Sequence, residues 1–92
     1  MIIRFDIYNL GMRERAAAAL ASLGFVEDQR RGYTLQIEPD KRFHALFASD
    51  GLELHCDLVR ANQTHKNVKH KQLRPTLETL KERMAQPVMK AS

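Results

Sequence analysis

Apolar and polar residues alternate from the start of the chain. Ile3, Phe5 and Ile7 are interleaved with Arg4, Asp6 and Tyr8, the period of two expected of a strand with one buried and one wet face. The period then lengthens. Through "GMRERAAAALASL", Met12, Ala16, Leu20 and Leu23 recur at three- and four-residue spacing. This predicts a helix capped by Asn9 and stopped at Gly24, a residue that takes the left-handed conformation of helix ends at little cost. "FVEDQRRGYTLQIE" admits a hairpin turning at "QRRG" or a loop leading into one strand, and Tyr33 to Glu38 is a strand in either case, with Tyr33, Leu35 and Ile37 inward. "PDKR" supplies a turn.

"RFHALFASDGLELHCDLV" then reads as a hairpin, because Asp50-Gly51 between alternating segments is a strong two-residue turn signal. Counting outward from that loop pairs Ser49 with Leu52, sets His44 opposite Asp57, and sets Leu46 opposite His55. The last pattern, "RPTLETLKERMAQ", predicts a second helix with Pro75 at its first position and Leu77, Leu80 and Met84 as its apolar stripe.

The order β-α-β-β-β-α implies an α+β two-layer sandwich, with a mainly antiparallel sheet of three to four strands and two helices on one face. A right-handed crossover places the first strand parallel at one edge. A chain of 92 residues encloses one core, so residues 1–86 are expected to form a single domain and 87–92 a flexible tail. Each helix has one apolar stripe, which leaves the far side of the sheet open. That polar face carries Arg4, Asp6, Tyr8, Thr34, Gln36, Glu38, His44, Glu53, His55 and Asp57.

Composition narrows the setting. The longest weakly polar run, "AAAALASLGFV", is far short of the roughly 20 apolar residues of a membrane-spanning helix, and "MIIRFDIYNL" lacks the features of a signal peptide. Cys56 is the single cysteine, so no internal disulfide is available, and a cytoplasmic location is expected. On the apolar side of its strand, between Leu54 and Leu58, Cys56 reads as a core residue.

His44, His55 and Asp57 are the candidate catalytic residues, as neighbours able to serve as a metal site of two histidines and a carboxylate or as a general base oriented by an acid. A favourable cross-strand pair with no chemistry is the alternative. No zinc-type cysteine and histidine spacing is present, and neither are a phosphate-cradling glycine loop, a Gly-x-Ser-x-Gly elbow or a His-Glu-x-x-His helix. The expectation is therefore no cofactor, no metal and no assigned enzyme activity.

Charge is distributed unevenly. The net charge is +4, yet Leu58 to Leu77 holds five Lys/Arg and no acid, leaving about −1 for the rest. The segment "VRANQTHKNVKHKQLR" is either a solvated connection, a surface for an acidic protein, or a phosphate-contacting loop, in which Asn62, Gln63, Thr64, Asn67 and Gln72 add hydrogen-bonding groups to the cations. It ends at Arg74-Pro75, beside a helix start that favours anions. The candidate nucleic-acid-binding residues are Arg60, His65, Lys66, Lys69, His70, Lys71 and Arg74.

The sequence of helix, "LGF", three strands, basic loop and "LRPTLETLKERM", over roughly Ala16 to Met84, resembles small HicA-type proteins. These are messenger-RNA-cleaving toxins of toxin–antitoxin pairs, with a fold akin to the double-stranded-RNA-binding domain. The resemblance implies that fold class and an RNA partner. It does not carry over catalysis, because Gly32-Tyr33-Thr34 stands where the family has Gly-Ser-His. The expected function is a small nucleic-acid-binding module, RNA favoured, with no membrane association. The second reading is a protein-interaction module or homodimer using the open sheet face, and the third is a small hydrolase built on His44, His55 and Asp57.

Overall fold

A computed structural model describes residues 2–28, 32–59 and 66–85. In chain order these form β1 (Ile2–Asp6), α1 (Leu10–Ser22), β2 (Val26–Asp28), β3 (Gly32–Glu38), β4 (Lys41–Phe47), β5 (Gly51–Leu58), β6 (Lys66–Val68) and α2 (Leu73–Ala85). The fold is α+β, with one antiparallel sheet ordered β1-β5-β4-β3-β2 and β6 also paired to β5. The expected tail, 87–92, lies outside the described residues.

Local signals set the ends of α1. The Met12 N–H donates to Asn9 Oδ1 at 2.8 Å, satisfying one of the unpaired donors of the first turn. At the other end Gly24 has φ +96°, while its N–H bonds the Ala21 carbonyl and that of Phe25 bonds the Leu20 carbonyl. This is the paired closure that a left-handed glycine permits, and it drops Phe25 into the core. The second helix starts two residues before Pro75, at Leu73. Proline is tolerated in a first turn, where its missing N–H has no partner to lose, and the earlier start adds Leu73 to the core.

The core gathers Ala16, Ala19 and Leu20 of α1 and Leu73, Leu77, Leu80 and Met84 of α2 over Ile3, Phe43, Ala45, Leu52, Leu54 and Cys56 of the sheet. Ile3 and Ala45 both register with Leu54, and Phe43 with Cys56, so these sheet residues share one face. Both helices pack on it, as the single apolar stripes require.

Two features differ from the sequence expectation. The sheet has more strands than three to four, because Val26–Asp28 pairs with Gly32–Thr34, the hairpin alternative that the sequence left open, and Lys66–Val68 adds β6. The extra strand β2 reverses the direction of every later one, so β1 meets β5 antiparallel and not parallel. The hairpin tip also lies one residue earlier. Phe47 pairs with Leu52 and the Ala48 N–H donates to the Gly51 carbonyl at 2.8 Å, leaving Ser49 and Asp50 at the tip. Gly51 is not among the positive-φ glycines. It lies against β1, where an added Cβ would come within 2.8 Å of the Phe5 carbonyl oxygen. The glycine serves close approach of two strands, not the turn.

Candidate functional site

The corrected hairpin sets the geometry of the polar sheet face. His44 of β4 stands opposite His55 of β5, and Arg42 opposite Asp57. The sequence had paired His44 with Asp57. A slip of two positions keeps every side chain on its expected face, so the three candidates still converge with the partners exchanged. His44 Nδ1 lies 3.3 Å from His55 Nε2. His55 Nε2 is 3.0 Å from Asp57 Oδ1, and His44 Nδ1 is 3.7 Å from Asp57 Oδ2. The imidazoles meet edge to face, with centroids 4.9 Å apart at 75°.

This part of the sheet is not open. His44 is 8% exposed and Asp57 5%, whereas Arg4, Asp6, Tyr8, Gln36 and Glu38 on the expected face are exposed. Position in the sheet accounts for the difference, because residues on central strands are flanked from both sides. Thr34 registers with His44 from β3, Ile2 with His55 from β1, and Asn67 with Asp57 from β6. Cys56, between the two ligating-type residues of β5, points into the core with no exposed surface. Loss of solvent pushes its thiol pKa up, which suits a structural residue.

The basic segment lies where β6 passes into α2. Arg60 and His65 fall outside the described residues, and Lys66 opens β6. Lys69, Lys71, Gln72 and Arg74 are exposed, and the first turn of α2 carries no acid. His70 behaves differently. Its Nε2 is 2.9 Å from Glu38 Oε2, its Nδ1 accepts the Gln72 N–H at 3.1 Å, and its ring meets the buried Phe43 edge to face at 5.3 Å. Both ring nitrogens are occupied, so His70 anchors the segment to β3 and β4 and leaves Lys69 and Lys71 outward. The His70 hydrogen bond, with Lys41 adding to it, holds the Glu38 carboxyl below its ordinary pKa. Glu38 and His70 are 32 residues apart, and no motif in the chain signals their contact.

Arg4 forms a third polar cluster at the hairpin tip, 2.9 Å from Asp50 and 3.6 Å from Asp6. It holds the Asp50 carboxyl below the usual range. These groups are exposed, and they tie the tip to β1.

No family model, curated protein or solved structure matches the chain. Among the described residues no helix is long and apolar enough to cross a membrane.

Proposed function

We propose that the protein binds nucleic acid, RNA in preference to DNA, through phosphate contacts made where β6 enters α2. The observation that carries this reading is the shared exposure of Lys69, Lys71 and Arg74 within six residues, with no acid in the first helical turn. Cations so placed neutralise backbone phosphates, and the exposed Gln72 suits phosphate or sugar contacts. Arg60, His65 and Lys66 belong to the same acid-free run of the sequence. The rest of α2 mixes Glu78 and Glu82 with Lys81 and Arg83, a poor face for the major groove of DNA. This favours an irregular RNA strand read by its backbone. The His44, His55 and Asp57 cluster is too enclosed to serve as a macromolecular surface.

The test compares wild type with Lys69→Glu/Lys71→Glu/Arg74→Glu for binding to mixed RNA and DNA pools at two salt concentrations. Wild type should bind, bind RNA more tightly, and weaken steeply with salt, while the variant loses most of its affinity. Equal binding by both proteins would refute the reading. A second reading is an interface with another protein, which the exposure of Tyr8 and Leu10 where β1 enters α1 favours (78% and 77%). Association that survives the triple reversal and fails in Tyr8→Asp would mark that surface instead.

A further inference from the structure

We propose that His44, His55 and Asp57 form a binding site for a transition-metal dication of the zinc type. The site is independent of the nucleic-acid surface. A ring nitrogen carries one proton or none, and an ionised carboxylate only accepts. His55 Nε2 faces both Asp57 Oδ1, at 3.0 Å, and His44 Nδ1, at 3.3 Å. If Nε2 is protonated and donates to Asp57, it offers no lone pair to His44. If it accepts a proton shared from His44 Nδ1, its lone pair faces the carboxylate. One proton on Nε2 must then serve two contacts, and each weakens the other in a largely buried cluster, where well-made polar contacts matter most. A cation among the three groups would remove that competition, taking one lone pair from each residue.

The dimensions agree. Taking one donor atom from each residue, the three lie within 4.8 Å of one another; the two imidazole nitrogens are 3.3 Å apart and approach different oxygens of Asp57 at 3.0 and 3.7 Å, close to the edge of about 3.3 Å that a tetrahedron with bonds of roughly 2.0–2.1 Å would have. The donor set selects the ion. Two imidazoles and one carboxylate suit zinc and its first-row neighbours, whereas magnesium and calcium take oxygen. Three protein ligands leave a further position for water or an external ligand.

The framework is built to hold an ion. All three ligands stand on β4 and β5, in the interior of the sheet, where backbone pairing fixes their spacing. Arg42 and Asn67 register with Asp57 from the strands on either side, in position to orient the carboxylate from outside the metal shell. Cys56 faces the core and is no ligand.

The test uses the full chain, free of any purification tag, stripped with a chelator and titrated with cobalt(II) as a visible probe and with zinc in competition. One cobalt per chain should bind, with the visible bands of a low-coordinate site, and zinc should displace it. Loss of one ligand in His44→Ala, His55→Ala or Asp57→Asn should weaken binding by more than the roughly 10- to 100-fold that outer-shell changes cause. His70→Ala should leave it unchanged.

A second measurement needs no variant. Histidine ring NMR of wild type with zinc should show His44 metallated at Nδ1 and protonated at Nε2, and His55 the reverse. Absence of stoichiometric binding, undiminished binding in folded ligand variants, or zinc-induced shifts confined to His65 or His70 would each overturn the proposal.

Discussion

Replacing Gly51 with alanine tests why the β4–β5 hairpin has its observed register, and hence why His44 faces His55. An alanine Cβ would come within 2.8 Å of the Phe5 carbonyl oxygen and 2.6 Å of Arg4 Nη2. Arg4 can swing aside at the expense of its pair with Asp50, an exposed interaction of little weight. The Phe5 carbonyl cannot. It belongs to β1 and pairs at the Leu52 position, so the strand must shift by several tenths of an ångström. Overpacking of this kind costs about 1–3 kcal/mol. In a domain of this size each kcal/mol lowers Tm by roughly 4–8 °C. Thermal and urea unfolding of Gly51→Ala and Gly51→Asn would measure the loss. If Gly51 were a turn glycine of positive φ, asparagine would be better tolerated than alanine, since it adopts that conformation more readily. Close strand approach makes asparagine no better than alanine. A neutral Gly51→Ala, or a clear rescue by asparagine, would refute this account of the hairpin.

Two further outcomes follow from the same contacts. The Glu38 carboxyl has a lowered pKa in the folded chain, chiefly from His70. Its contribution to stability is therefore complete above the ordinary carboxylate pKa and is lost as pH falls through the lowered folded value. Acid unfolding of Glu38→Gln should show a shallower pH dependence in that window, and an unchanged profile would count against the Glu38–His70 contact. Cys56 has no exposed surface and a raised thiol pKa, so a thiol-specific chromogenic reagent should label it only after unfolding. Rapid labelling of the native protein would contradict its place in the core.

Much of this fold is legible in periodicity. The alternation of Ile3 and Phe5, the Asn9 and Gly24 ends of α1, and the stripe of Leu77, Leu80 and Met84 all rest on local rules that the packing reinforces. The fold class and the placement of both helices on one face follow from them. What periodicity misses has physical causes. β2 is three residues long with exposed Val26 and Glu27, so it carries almost no alternating signal, yet its presence decides the direction of β3, β4 and β5. Asp50-Gly51 imitates a turn because glycine is scarce in strands, but here it is set by the approach of β1, a contact 46 residues away along the chain. The polar identity of His44, His55 and Asp57 is plain in sequence. Their convergence and burial depend on that register and on central position in the sheet. The capture of His70 by Glu38 and Phe43 is tertiary throughout, and it separates one histidine of the basic run from the cations beside it.

The most direct measurement of the proposed function is the salt dependence of RNA affinity in wild type and in Lys69→Glu/Lys71→Glu/Arg74→Glu. Each phosphate contact on a single strand contributes about −0.7 to the slope of log affinity against log salt. Three phosphate-contacting cations therefore predict a wild-type slope steeper than the variant's by about 2. A slope near zero in wild type, or the same slope in both proteins, would contradict a phosphate-binding role for this surface.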